Sequence, residues 1–158
     1  MVSPPTLGVL FALFIFAADQ ASKTWLRLFV VPDEFSQITI LPIFNIVHAW
    51  NLGASFSLFA AEGEGRRWAL IAIMLIISGF VAFWLTKTTR KLPALAYGAI
   101  LGGAMGNVLD RLLHGAVFDF LQFHLAGYYY PSFNLADSAI VVGVGVLLLE
   151  SFRQQGEG

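Results

Sequence analysis

The sequence predicts a mainly α-helical membrane protein with four transmembrane helices, and three observations carry that prediction. Of 158 residues, 58% are hydrophobic and only 12% are charged, about half the charged share of an ordinary soluble domain. Four apolar stretches are long enough to cross a bilayer core, which takes about 20 residues of helix. The connections between them hold short runs of β-branched and aromatic residues that favour strand over helix. The length suits one domain spanning 1–158. A net charge of −1 gives no reason to expect a nucleic-acid partner. With no cysteine in the chain, disulfides, thiolate nucleophiles and cysteine metal sites are excluded. The three histidines, His48, His114 and His124, form no H-x-x-x-H pair, so neither a metal nor a cofactor is expected.

The first span is expected over about 7–29. Its segment "LGVLFALFIFAADQAS" could pass for a secretory signal, but no basic residue precedes the apolar run, so it reads as a retained helix. Asp19, Lys23 and Arg27 fall four residues apart in its second half and should share a face turned away from lipid. The second span, 68–85, carries no charge and is bracketed by Trp68 and Trp84, as interfacial anchors are. The third, 92–111, has Gly98, Gly102 and Gly106 at every fourth position, a smooth stripe for a closely packed neighbour. The fourth covers 134–152. Between the first two lies "QITILPIFNIVHAWN", with strand character, then the polar turn "AEGEGRR". The connection after the third contains "GAVFDFLQFHL", partly strand-like, and a tyrosine-rich "GYYYP".

Four spans put both termini on one side, with the loop "TKTTRK". The whole-chain count of basic residues does not discriminate between sides. The density of Lys87, Arg90 and Lys91 in one short loop assigns that side to the cytoplasm.

With this topology the unusual polar residues collect at the other membrane face: Asp19 and Lys23, then Asn107, Asp110 and Arg111, then Asp119 and Asp137. A carboxylate near the bilayer centre costs about 2.5–3.5 kcal/mol on insertion scales, so such a concentration implies a site or a buried network. Several have structural explanations. Asp19 has Lys23 one turn on. Asp110 has Arg111 beside it, and Lys23 and Arg27 in reach. Asp137 lies three residues after Asn134 and reads as a capping-box variant at a helix start. Asp119 has none, since "AVFDFLQ" offers no basic neighbour and burial there should raise its pKa. Were Asp119 and Asp137 to meet, the pair would share one proton. One would serve as general base and the other as general acid on a water molecule, which is aspartic peptidase chemistry. No serine stands in a G-x-S-x-G elbow.

Five ordered motifs sharpen this: "DQASK" from Asp19, "NLGASFS" from Asn51, "GGAMGNVLDR" from Gly102, "GAVFDF" from Gly115 and "FNLAD" from Phe133. Through them the chain resembles lipoprotein signal peptidases, the bacterial membrane aspartyl peptidases also called signal peptidase II. The resemblance implies that Asp119 and Asp137 are the catalytic dyad. It implies that Asp19, Lys23, Asn51, Gly53, Asn107, Asp110, Arg111 and Asn134 orient the dyad or shape the substrate pocket. It implies cleavage before a diacylglyceryl-modified cysteine of a prolipoprotein, in the cytoplasmic (inner) membrane, with an extracytoplasmic active site. Membrane lipids are then partners, a monomer is expected, and the fold gains an extracytoplasmic β-cradle and a short interfacial helix within 30–67. Ser55 departs from the family's usual second alanine. Two other readings of the residues stand beside this one: a small proton-coupled transporter using the intramembrane acids, and a scaffold assembling through the glycine stripe.

Overall fold

The computed structural model describes residues 2–34, 36–53 and 64–156. Helix α1 (Pro4–Trp25) starts at Ser3, whose Oγ accepts the Thr6 N–H at 3.3 Å, with prolines in the first turn where no N–H is needed. It runs on through a π-helical turn, Leu26–Val30. Strands β1 (Gln37–Leu41) and β2 (Phe44–Asn51) follow, then helices α2 (Glu64–Lys87) and α3 (Lys91–His114). Gly115, at φ +78°, ends α3 in the left-handed region, its N–H bonded to the Arg111 carbonyl, as glycine permits. Strands β3 (Val117–Leu125) and β4 (Tyr128–Tyr129) form a hairpin, and α4 (Leu135–Gly156) closes the chain. All four helices are long and apolar enough to cross a membrane, and they extend a few residues past the apolar stretches read from the sequence.

Helix α3 is the centre. Two thirds (67%) of its span is buried in protein, against 11–22% for the other three, which leave wide apolar faces for lipid. The glycine stripe makes this possible. A Cβ on Gly98 would strike the Gly8 carbonyl, and one on Gly102 the Ala12 carbonyl, both on α1. The opposite face of α3 receives α4, where Gly103 meets the Ala136 carbonyl. Close backbone approach replaces the hydrophobic driving force that lipid removes.

At one end of the bundle the four strands form an antiparallel sheet in the order β1-β2-β3-β4. Between the pairs Ile46–Leu121 and Ala49–Asp119 the register is irregular, with β2 using one more residue than β3. Such a bulge swaps the faces of everything beyond it. It places Asn51, opposite Val117, on the Asp119 face and sends Trp50 to the other, against Phe118 with ring centroids 5.5 Å apart. Phe118 and Phe120 then join Leu26 and Val31 in a small core. Just before α4 the chain runs back along β3, where Phe133 and Leu121 exchange both backbone bonds. That pairing delivers Asn134 to the side of Asp119.

Residues 54–63, including Ser55 and the first three residues of the polar turn, lie outside the described residues. The other four, Glu64–Arg67, form the first helical turn of α2 rather than a connecting turn. Among the described part of 30–67 there are strands and no separate short helix.

Candidate active site

Lys23 gathers the third-span and first-span carboxylates into one knot. Its ammonium lies 2.8 Å from Asp19 Oδ2, 3.0 Å from Asp110 Oδ2 and 3.0 Å from Asn107 Oδ1. Three acceptors meet three protons, so the cation is saturated. Lys23, Asp19 and Asp110 are all buried, and a buried charge is tolerated only when so paired. Gly106 permits the approach, since a Cβ there would fall on Asp19 Oδ2. The Gln20 amide adds contacts to Asp19 Oδ2, the Gly106 carbonyl and Asp110 Oδ1 at 3.1–3.2 Å.

Each carboxylate of the knot uses a further lone pair on the backbone of an element that bears another acid. Asp19 Oδ1 accepts the Ala136 N–H at 2.9 Å, one residue before Asp137. Asp110 Oδ2 accepts the Phe118 N–H at 3.1 Å, one residue before Asp119. The knot therefore fixes the backbone beneath both Asp119 and Asp137, and through Asn107 it also reaches the Asp137 side chain.

Around those two side chains every carboxylate oxygen has one donor. Asp119 Oδ1 accepts Asn134 Nδ2 at 2.7 Å, and Oδ2 accepts Asn51 Nδ2 at 2.9 Å. Asp137 Oδ1 accepts Asn107 Nδ2 at 2.7 Å, and Oδ2 accepts the Asn134 N–H at 3.2 Å. Asn134 Oδ1 in return accepts the Asp137 N–H at 3.0 Å, which completes the reciprocal capping box expected from "NLAD". Asn134 thus bonds both acids. Asn107 Oδ1 is fixed by Lys23 and by Asn134 Nδ2, so its amide has one orientation left and turns its NH₂ to Asp137.

The two acids differ in exposure. Asp119 is wholly buried on β3, while Asp137 is half-exposed at the start of α4. Burial first, and the nearby charge of Asp137 second, push the Asp119 pKa up to about 7, against the pull of the Asn51 and Asn134 amides and of Lys23. A buried acid with a raised pKa beside a less buried one can divide the acid and base roles between them.

Asn51 is itself held by a turn. Its Oδ1 accepts the Gly53 N–H at 2.8 Å, and Gly53 sits at φ +80° with Leu70 pressed where a Cβ would be. Only glycine meets both conditions.

Two expectations need correction. Arg111 does not hold Asp110. Its Nη1 reaches the Asn107 carbonyl at 3.4 Å and Met74 Sδ at 3.6 Å, because helix geometry points consecutive residues apart and Lys23 already occupies Asp110. Arg27 likewise does not join Asp19 and Lys23. It lies beyond the start of the π-helical turn, over the Trp50 ring and 3.4 Å from His114 Nε2. Gln20 was missed. Its signal was available, as an amide beside Asp19 inside an apolar span. The N–H donors of Phe118 and Ala136 had no side-chain signal. Among the described residues no group of three or more His, Asp or Glu is arranged to hold a metal ion.

Residues 11–153 match the family described as Signal peptidase (SPase) II. Proteins named lipoprotein signal peptidase are similar over nearly the whole chain. One from Beijerinckia indica is 41% identical over 157 residues, covering 99% of this chain and 94% of that protein. One from Methylocella silvestris is 42% identical over 158 residues, covering 99% and 92%. One from Xylella fastidiosa is 45% identical over 149 residues, covering 92% and 89%. Two solved structures, both described as bacterial membrane enzymes, have the same fold. One has a TM-score of 0.81 at 25% identity, covering 95% of this chain and 90% of that one. The other has 0.78 at 27%, covering 90% of each. From this similarity, spread over nearly its full length, the chain belongs to the signal peptidase II family.

Proposed function

We propose that the protein is an aspartic endopeptidase of the bacterial inner membrane that removes signal peptides from prolipoproteins, cutting before a cysteine that carries diacylglyceryl. The observation that carries this reading is the shared frame around the two acids: Asn134 bonds both, and Asn51 and Asn107 complete their shells. Asp119 and Asp137 are the catalytic dyad. Asp19, Gln20, Lys23, Asn51, Gly53, Asn107, Asp110 and Asn134 are positioning residues, and Arg111 ties α3 to α2 beneath them. Family membership favours peptidase chemistry over proton-coupled transport.

In the resting pair Asp137 is the carboxylate and Asp119 the acid, a division supported by the burial of Asp119 and its raised pKa. Asp137 takes a proton from a bound water as the water oxygen attacks the carbonyl preceding the lipidated cysteine, and Asp119 gives its proton to the carbonyl oxygen. The tetrahedral diol collapses when Asp137 passes its new proton to the leaving amine, the C–N bond breaks, and Asp119 recovers a proton from the diol. No covalent enzyme intermediate forms. The basic Lys87–Lys91 loop at the far end supports cytoplasmic termini and an extracytoplasmic site, where a lipid-anchored scissile bond would lie.

The test follows cleavage of a diacylglyceryl-modified prolipoprotein by purified protein and by Asp119→Asn and Asp137→Asn. Both variants should keep the wild-type fold and lose about 10²–10⁴-fold or more of the rate, the span of a general acid or base. Near-normal turnover in either folded variant would remove that residue from the dyad. An inactive wild type on this substrate would overturn the substrate assignment.

A further inference from the structure

The end of the bundle away from the dyad holds charge that the proposed chemistry does not use. Trp84, Lys87, Thr88, Thr89, Arg90 and Glu150 line an open cavity of about 420 Å³ where the α2–α3 loop meets the last turns of α4. Glu150 is only 6% exposed, although it stands in the fourth apolar span. A carboxylate at that depth is retained for a partner. Arg90 Nη1 approaches Glu150 Oε2 to 2.6 Å, but that oxygen accepts no well-aligned hydrogen bond. The contact is one of charge. It holds the guanidinium at the cavity and meets no second acceptor among the described residues. Among the described residues Lys87 meets only the face of Phe83, 5.5 Å away. Arg90 is also the residue before α3 and caps it with no side-chain bond, so the first N–H groups of α3 are uncapped.

Two cations against the one Glu150 carboxylate, with two threonine hydroxyls and an uncapped helix start around one cavity, match a phosphate. A second feature says what carries that phosphate. Trp84 also lines an apolar groove of about 640 Å³ that continues along α2 past Phe83, Phe80 and Ile76, with Gly79 in its lining. A Cβ on Gly79 would meet nothing within 4 Å. Polar cavity and apolar groove thus meet at an aromatic ring of the kind that marks the headgroup level of a bilayer. We infer that this is a binding site for a membrane phospholipid, its phosphate held by Lys87 and Arg90, its acyl chain lying in the groove over Gly79, and Glu150 acting as the residue that positions Arg90. The inference is independent of the peptidase reading, since no dyad or knot residue takes part.

The test is native mass spectrometry of the delipidated full chain, titrated with dioleoylphosphatidylglycerol. Dioleoylglycerol, which has the same chains without the phosphate, and inorganic phosphate serve as comparisons. The protein should retain one phospholipid much more strongly than dioleoylglycerol. Loss of each cation should weaken retention about fivefold, so Lys87→Gln with Arg90→Gln should lower it about 25-fold. Glu150→Gln keeps every loop cation, and with it the orientation signal, yet should weaken phospholipid retention severalfold. Gly79→Leu should weaken retention by blocking the groove. Thr88→Val with Thr89→Val, which leaves all charges in place, provides the same reading if a charge variant fails to fold. Equal retention of dioleoylglycerol, or unchanged retention in the folded variants, would overturn the site. Displacement of the lipid by inorganic phosphate at equal concentration would overturn the lipid assignment and leave a free-anion site.

Discussion

At the sheet end of the bundle Lys23 meets Asp19, Asp110 and Asn107, all within 3.0 Å, whereas at the far end Glu150 pairs with Arg90. Both ends bury carboxylates in helices that face lipid. At the first, every charge has several fixed partners, and two of those partners are the backbone N–H groups next to Asp119 and Asp137. At the second, one buried acid steadies one cation, and the surrounding donors are left for something else. The difference separates two uses of buried charge. Saturated partners fix geometry, as a hydrolytic site requires. Unsaturated ones leave capacity for a ligand.

The largest break in that comparison is Lys23→Met. It leaves two buried carboxylates without their shared cation, a loss of about 3–5 kcal/mol, and should abolish cleavage by loosening both acid-bearing elements. Arg90→Met strands one buried carboxylate, Glu150, but the arginine side chain of that pair is 49% exposed and the pair is partly screened by solvent, so it should cost less than Lys23→Met. Thermal melting in detergent compares them, and equal losses would mean the two ends are not built differently.

The next is pH. Asp119 titrates near 7 in the folded protein and near 3.8 when unfolded, so between those values the folded state holds a proton that the unfolded state has released. Stability from this group is therefore highest below about pH 4 and declines as pH rises to about 7, by at most a few kcal/mol. Asp119→Asn removes that decline, and its melting point should gain on wild type over this interval. On the dyad reading, kcat/KM should also fall on the alkaline side with an apparent pKa near 7. A rate profile flat from about pH 5 to 9 would rule out Asp119 as the acid.

The smallest contrast is between two glycines. Gly106→Ala drives a methyl against Asp19 Oδ2 in the knot, while Gly145→Ala meets nothing within 4 Å. The first should cost about 1–3 kcal/mol as an overpacked site. The second should be neutral or slightly stabilising through helix propensity. If both are neutral, the knot yields more readily than its saturated hydrogen bonds imply.

Much of this was legible in the sequence where a residue type and its position carry one physical meaning. Long uncharged runs could only be spans. Glycine at every fourth residue of the third could only be a packing face. The lone acid of "AVFDF" and the capped acid of "FNLAD" were set apart by their neighbours. The Asp19–Lys23 pair followed from helical spacing. Side-chain direction was less legible. Arg111, adjacent to Asp110, was paired with it by proximity in sequence, yet the helix sends the two apart and gives Asp110 to Lys23 from another span. Gln20 stood inside a recognised motif, but nothing local indicates that its amide would reach α3.

What the sequence determined by itself is therefore the membrane architecture and the strand-forming connections, and it singled out the two acids proposed as the dyad, because hydropathy, periodicity and capping are local properties. What only the tertiary structure decided is how those acids are held. The β2 bulge places Asn51 rather than Trp50 beside Asp119. The return of Phe133 along β3 brings Asn134 between the two carboxylates. Asp19 and Asp110 grip the backbone one residue before each acid. These depend on strand register and on long-range donors that every residue but proline possesses, so no residue type announces them.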